Sequence, residues 1–185
     1  MRVIVSVAPP PVVTLAEAKE HLEVQDNERD NLIKGMVAAA SAHLDGPDGW
    51  LGRALGKQTL VAYLPAPTFD RYIDLPFPPV VEIDSIAARQ GREWVTVDPT
   101  VYELRGNSVA QAFPGAWPAW ACDPEAVRVT YRAGYDAVPP AAKAAILLMV
   151  GDLYRFRDTV APIATASVPM STTVTNLLMP LQVYR

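Results

Sequence analysis

Residues 127–150 read VRVTYRAGYDAVPPAAKAAILLMV, and the change of pattern within this stretch decides the fold class. Its first residues alternate between apolar and polar side chains, which is typical of a β-strand with one buried face. Pro139-Pro140 then begins a run rich in Ala, Leu, Ile and Met, and proline is well tolerated in the first turn of a helix. We therefore predict a strand over 126–131 and a helix over 139–157. Because this helix is apolar on nearly every side, we expect it to lie in a core or a subunit interface.

The alternating pattern of a strand recurs along residues 57–138, where turn-forming residues are also frequent. Pro76, Pro78 and Pro79 restrict the stretch 75–79 to a sheet edge or a connection outside the sheet. The predicted strands are short, rich in Val, Ile, Thr and Tyr, and bounded by Gly, Pro or Asp. We therefore predict a small antiparallel β unit, with strands at 58–64, 80–89, 94–97, 101–105 and 126–131.

Two amphipathic helices precede the β unit. Thr14 and Glu17 have the spacing of a capping box, in which each side chain accepts a hydrogen bond from the backbone N–H of the other residue, so we predict a helix over 14–24. A second helix is predicted over 27–45, with Asp26 as its N-cap. Two such helices joined by a short link predict an antiparallel hairpin. The apolar face of the second helix consists of Leu32, Ile33, Met36, Val37, Ala40 and Leu44.

The fold is therefore predicted to be α+β: a small helical bundle with an inserted antiparallel β unit and an extended C-terminal tail. The tail has no charged residue from Thr159 to Tyr184, and its prolines forbid one continuous helix. Its large apolar side chains need cover from water, and two alternatives stay open. The tail folds back on its own subunit as an extra strand, or it reaches a neighbouring chain by strand addition or a short helix around 176–181. The predicted segments are an N-terminal arm (1–13), a helical hairpin (14–56), the β unit (57–138), a C-terminal helix packing on the hairpin (139–158) and the tail (159–185).

Composition excludes several classes of protein. The chain has 185 residues, of which 50% are hydrophobic and 19% charged, so it is too apolar for an intrinsically disordered protein. Its single cysteine, Cys122, excludes a disulfide framework and a multi-cysteine zinc site and fits a reducing cytoplasm. A net charge of −4 argues against bulk attraction to nucleic acid. The longest uninterrupted apolar run, 144–150, is far shorter than the ~18 residues of a membrane-spanning helix.

No motif specifies catalysis, a cofactor or a metal. Residues 52–59, GRALGKQT, are one spacer short of a phosphate-binding loop and precede a predicted strand rather than a helix. The acidic run at 26–30 lacks the glycine and the closing glutamate of a calcium loop. His21 and His43 lie on different predicted helices, and Cys122 has no basic neighbour to activate it. We therefore predict no catalytic residue, no cofactor and no metal, and we expect the function to lie in binding surfaces.

Five stretches follow one another along most of the chain: TLAEAKEHL at 14–22, LGRALGKQT at 51–59, LPFPPV at 75–80, VRVTYRAGY at 127–135 and VPPAAKAAIL at 138–147. Their order and spacing resemble those of the head–tail connector (adaptor, head-completion) proteins of tailed phages and of phage-derived gene transfer agents. A weaker echo follows at 177–180. Glu23 departs from the pattern, because the family often has a basic residue there, and so does Leu181-Gln182, where an aromatic residue and an arginine are common.

The resemblance implies a structural protein without a catalytic site or cofactor. Subunits of this family form a homo-oligomeric ring, usually twelve-fold, beneath the portal protein of the filled capsid. The ring continues the DNA channel, through which DNA passes without specific binding, and offers a platform to the next tail-side connector or tail terminator protein. The resemblance therefore implies a place at the head–tail interface of a virion or phage-like particle, assembled in the bacterial host cytoplasm without a membrane.

Contacts with the portal or with neighbouring subunits are expected at the apolar helix and the tail. The candidate residues are Leu148, Met149, Leu177, Leu178, Met179 and Pro180. Two other functions stay open. A pocket that gathers His21 or His43 with carboxylates would favour a cytoplasmic enzyme with a dispersed active site. A long unpaired sheet edge would favour a protein-interaction module that adds a peptide strand to its sheet.

Overall fold

The computed structural model describes residues 1–67, 72–156 and 171–183. The chain forms two units: unit 1 consists of Met1–Pro10 and Gly56–Asp136, and unit 2 consists of Pro11–Leu55 and Ala137–Arg185. The β-strands and a 3-10 helix at Pro99–Val101 lie in unit 1, and the α-helices lie in unit 2. The prediction of an α+β fold with an antiparallel β unit inserted between helices is confirmed.

The strands of unit 1 form two antiparallel sheets. They are β1 Arg2–Val7, β2 Gln58–Leu64, β3 Tyr72–Asp74, β4 Val80–Gln90, β5 Glu93–Thr96, β6 Tyr102–Arg105, β7 Ser108–Gln111 and β8 Val127–Ala133. One sheet has the order β1-β2-β8-β4-β5, and the other has the order β3-β7-β6. The five predicted strands correspond to β2, β4, β5, β6 and β8. The predicted arm at 1–13 needs correction, because Arg2–Val7 pairs with β2 as a strand.

The core of unit 1 lies against one face of the five-stranded sheet. In the register of β2 and β8, Leu60 is opposite Tyr131 and Ala62 is opposite Val129, and all four side chains are fully buried. The Tyr131 hydroxyl donates a hydrogen bond to the backbone oxygen of Pro76. This bond gives a buried phenol a partner and ties the proline-rich connection between β3 and β4 to the sheet.

Unit 2 contains α1 Leu15–His21, α2 Asp30–Leu44, α3 Pro140–Arg155 and α4 Thr172–Leu178, the last followed by a 3-10 turn at Met179–Leu181. The capping box of α1 forms as predicted: the Glu17 N–H donates to the Thr14 hydroxyl at 3.2 Å, and the Thr14 N–H donates to the Glu17 carboxylate at 2.7 Å. The prediction for α2 is wrong at its start, where Arg29 is the N-cap. The Asp26 carboxylate instead accepts the N–H of Glu28, within the turn that precedes the helix.

The helices pack through small and branched side chains. α2 contacts α3, and α1 contacts both. Although α3 is apolar on nearly every side, only one face of it is fully buried. No helix among the described residues is long and apolar enough to cross a bilayer. The buried side chains are Ile33, Val37, Ala40 and Leu44 of α2 and Ala142, Ala145, Ile146 and Val150 of α3.

The tail differs from the predicted extended chain. Within 171–183 it forms α4 and the 3-10 turn, and α4 packs on α3. The Ser171 hydroxyl accepts the N–H of Val174 as an N-cap, and Pro180 falls in the first turn of the 3-10 helix, where it removes no helical hydrogen bond. The tail thus folds back on its own chain as a helix rather than as the extra strand. The remainder of the predicted tail, 159–170 and 184–185, lies outside the described residues.

Candidate subunit and partner interface

The residues predicted to form the interface lie on two helices that pack together, α3 and α4. On α3, Leu148 and Met149 are half-buried, whereas Ile146 and Val150 are completely buried. Leu148 and Met149 therefore keep part of their apolar surface open to solvent. Their contact with a portal or a neighbouring subunit stays a prediction.

The four candidate residues of the tail have different surroundings. Leu178 is completely buried and Leu177 is half-buried, so both contribute to the core of unit 2. Met179 exposes 57% of its surface, and Pro180 is exposed as well. Met179, Pro180 and the open part of Leu177 are therefore the tail surfaces that a partner can reach without unfolding of α4.

The chain beyond α4 is held by the segment that resembles a phosphate-binding loop in sequence. The Arg53 side chain donates to the backbone oxygen of Leu181 at 2.6 Å, and the Val183 N–H donates to the backbone oxygen of Leu51 at 2.9 Å. Gly52 has φ +63°, and a Cβ there would lie 2.8 Å from the Val183 oxygen. These contacts give the glycine-containing turn a structural role, which is to bind the C-terminal segment of its own chain.

The solvent face of the five-stranded sheet carries a cluster that the sequence analysis missed. The strand register places Arg2, Tyr63 and Arg128 side by side on β1, β2 and β8. The Arg2 guanidinium lies 4.2 Å from the centre of the Tyr63 ring, and the Arg128 guanidinium lies 5.0 Å from the centre of the Trp94 ring. The two rings meet edge to face with their centroids 6.0 Å apart. We call Arg2, Tyr63, Trp94 and Arg128 the Arg–aromatic cluster.

Trp94 reaches this cluster from the edge strand β5 because of a small residue between them. Ala87 of β4 is opposite Arg128 in the register and is almost completely covered. A methyl side chain at this position leaves room for the indole to lie over β4 towards β8. The sequence signal was present in the alternation of Arg128, Thr130 and Arg132 along β8, but the partner rings follow only from the register.

Glu17 has a strongly perturbed carboxylate. The Thr14 backbone N–H, the Thr14 hydroxyl and then the Lys143 ammonium of α3, at 3.1 Å, hold the pKa of Glu17 at about 2. A carboxylate with so low a pKa is a poor general acid or base near neutral pH. Its role is to cap α1 and to connect it to α3.

This charge predicts a specific pH dependence of stability. Glu17→Gln keeps an acceptor for the cap but removes the charge, so we expect a loss below about 1 kcal/mol at pH 7, because the side chain is 40% exposed and screened by solvent. The pKa in the folded chain lies below the ordinary value of 4.5, so the stabilisation is complete above that pH and is lost as the pH falls towards 2. Urea unfolding of both chains between pH 7 and pH 3 measures the difference. A difference that stays constant over this range would contradict the assignment.

The candidate catalytic side chains do not gather into a metal centre. Across 1–67, 72–156 and 171–183, no three His, Cys, Asp or Glu side chains are placed to hold a metal ion. His21 lies where α1 meets α3, since a Cβ at Gly151 would be 3.4 Å from its Nε2 atom. His43 and Cys122 are exposed. His21 is exposed as well, so it borders the contact between α1 and α3 rather than filling it.

Comparison with known proteins gives matches only at the level of structure. No protein-family model and no curated protein matches the chain. A chain in the neck of an empty gene transfer agent particle, determined with C6 symmetry, matches with a TM-score of 0.76 and 20% identity over 100% of this chain and 97% of that chain. The chain has the fold of a particle-neck protein.

Two further structures agree with this match. A chain in the virion of a native gene transfer agent particle has a TM-score of 0.68 at 20% identity, and a chain in the neck of the native particle with C12 symmetry has 0.68 at 19% identity. Each alignment covers 100% of this chain and 97% of the other. The likeness therefore extends over both units and is not confined to the sheet or the helices.

Proposed function

We propose that this chain is a structural head–tail connector (adaptor) protein of a phage or phage-like particle. In this proposal its subunits form a ring beneath the portal, and the ring is twelve-fold, as the resemblance to the connector proteins implies. The ring extends the DNA channel and carries the next tail-side connector or the tail terminator protein. The observation that supports the proposal is the likeness, over nearly the full length of both chains, to chains of gene transfer agent necks. The proposed place is the neck of the virion, after assembly in the bacterial host cytoplasm.

The surfaces of the two units are consistent with a ring. A closed ring needs two different surfaces on each subunit, because each subunit contacts its neighbours head to tail. Unit 2 exposes Met179 and Pro180 after α4, and unit 1 exposes the Arg–aromatic cluster. We propose that Met179 and Pro180, with the open parts of Leu148, Met149 and Leu177, contact the portal or a subunit, while Leu178 holds α4 in place. The net charge of −4 suits a channel that DNA passes without binding.

The test is to image the purified chain by electron microscopy, alone and with portal-bearing capsids. We expect the chain to form rings, either alone or only when the portal is present. Native mass spectrometry of the same sample gives the number of subunits. A chain that stays monomeric at all concentrations and does not bind portal-bearing capsids would contradict the proposal.

One observation favours the protein-interaction module as a second candidate. β1 is at the edge of the five-stranded sheet, and its Ile4, Val5 and Val7 side chains are exposed by 39–57%. An apolar edge strand with free backbone groups accepts an additional strand from a peptide. The same imaging experiment separates the two functions, since this module would remain a monomer that does not dock on capsids.

A further inference from the structure

Arg128 differs from the other arginines on the solvent face of the five-stranded sheet. Among the described residues it has no carboxylate partner, and its contact is with the face of the Trp94 ring. The other three arginines of this face have such partners. Arg2 binds both oxygens of Glu125 at 3.0 and 3.1 Å, Arg89 binds Asp123 at 3.1 Å, and Arg132 binds Glu82 and Asp84.

The geometry of Arg128 fits a carboxylate from outside the chain. The guanidinium carbon lies 5.0 Å from the centre of the Trp94 ring, and no carboxylate among the described residues binds its N–H groups, which have the fork geometry that binds both oxygens of one carboxylate. Arg128 is also only half-buried, so this edge is within reach of a partner. The ligand that matches the N–H groups of Arg128 is therefore a single acidic side chain.

Nucleic acid fits the same face poorly. Among the described residues, the four arginines share this face with four carboxylates, and these groups give it no net positive charge to attract a polyanion. Bases bind by stacking on open aromatic faces, but Arg2 already covers Tyr63 and Arg128 already covers Trp94. The partner that matches this chemistry is an acidic segment of protein.

The link between α1 and α2 supplies such a segment. Between residues 19 and 30 it has five carboxylates against two cations, and Lys19 is already paired with Asp30 at 2.8 Å. Glu20 and Glu23 are exposed and have no ion pair among the described residues. Both lie at the C-terminal end of α1, where the helix dipole disfavours negative charge. Glu23 also has φ +55°, which a residue with a side chain seldom adopts.

We propose that the Arg–aromatic cluster of one subunit receives the α1–α2 link of a second copy, with Glu23 binding Arg128 and Glu20 beside it. This proposal rests on the proposed ring and names one of its contacts. In the proposed ring the acidic link of each subunit binds the arginine surface of the next, so the contact is head to tail and repeats from subunit to subunit.

The test is an exchange of charge across the contact. We expect Arg128→Glu and Glu23→Arg each to raise the protein concentration at which rings form by at least about tenfold, and we expect the double variant to recover ring formation. Arg92→Glu, in the exposed turn after β4, makes the same charge change and serves as the matched control. Native mass spectrometry across a concentration series measures the assembly, and circular dichroism checks that each variant is folded. If Arg128→Glu does not fold, Arg128→Gln replaces it, and the losses in the two single variants, without the rescue, then decide the test.

The possible outcomes test the contact, the pairing of Glu23 with Arg128, and the proposed function separately. Rings that form equally well in both single variants would overturn this contact and leave the proposed function standing. Losses in both single variants without recovery in the double variant would overturn the pairing of Glu23 with Arg128. A wild-type chain that forms no ring, alone or on a portal, would overturn the proposed function and this contact with it.

Discussion

Replacing Leu178 by Asp is expected to unfold the helices of unit 2, whereas the same replacement at the next residue, Met179, should leave them folded. Leu178 is 0% exposed and Met179 is 57% exposed. Truncating a buried leucine costs about 2–5 kcal/mol, and burying an unpaired carboxylate costs several kcal/mol more. That sum is comparable to the whole stability of an ordinary domain, about 5–15 kcal/mol. Urea unfolding followed by circular dichroism measures both variants, and Leu178→Ala, with a loss of about 2–5 kcal/mol, serves if the Asp variant cannot be purified.

The pair also separates folding from docking in the tail. Because α4 packs on α3, a chain that ends after residue 157 should lose stability and not only partner binding. Met179→Asp should keep the melting temperature of the wild type and bind portal-bearing capsids less tightly, because it places a charge on the proposed docking surface. If Leu178→Asp were as stable as the wild type, α4 would not belong to the core of unit 2. If Met179→Asp docked normally, the proposed role of Met179 and Pro180 would be wrong.

Local patterns in the sequence were sufficient to predict most elements of the fold. The capping box at Thr14 and Glu17 needs only residues three apart, so its signal lies within one helical turn. The strands β2 and β8 alternate cleanly because one face of each is buried in the core. The boundary between unit 1 and α3 follows from Pro139-Pro140, whose chemistry is local as well.

The elements that the sequence did not predict depend on distant parts of the chain. β1 has apolar residues on both of its faces and pairs with β2 more than 50 residues away, so it shows no period of two. β3 and β7 have only three and four residues, too few for a period to be recognised. In the tail, the prolines suggested extended chain. Ser171 three residues before Val174 was a local cap signal, but the burial of α4 depends on α3.

The candidate functional residues also form two groups, those that have a signal in the sequence and those that meet only in the folded chain. Leu148, Met149 and the tail residues were predicted from their apolar character, because uncharged surface is visible in composition, and their contact with a partner stays a prediction. The Arg–aromatic cluster was not found, since its members come from four strands and meet only through the register. A slip of one residue in β8 would send Arg128 into the core, so this cluster is a property of the pairing and not of any segment.

Adding one methyl group at Gly134 is expected to destabilise unit 1 far more than adding it at Gly91. Gly134 follows β8 with φ +118°, and a Cβ there would lie 2.2 Å from the backbone oxygen of Gly56. Gly91 is in the turn after β4 with φ +63°, and a Cβ there would meet nothing within 4 Å. Gly91→Ala should therefore cost about 1 kcal/mol, the cost of left-handed backbone for alanine. Gly134→Ala adds a clash between two backbones, and we expect a loss above about 3 kcal/mol.

The reason for the difference is the position of Gly134 in the sheet. Its N–H donates to the backbone oxygen of Pro79 at 2.9 Å, just before β4, while its Cα lies against Gly56, just before β2. The chain therefore crosses the ends of both neighbouring strands at one residue, and neither backbone can retreat without breaking the pairing of β8. Thermal unfolding of the two alanine variants measures the difference, because both enter the same sheet with the same added atoms. Equal losses in the two variants would mean that the strand ends separate readily, and that the close approach at Gly134 does not constrain the fold.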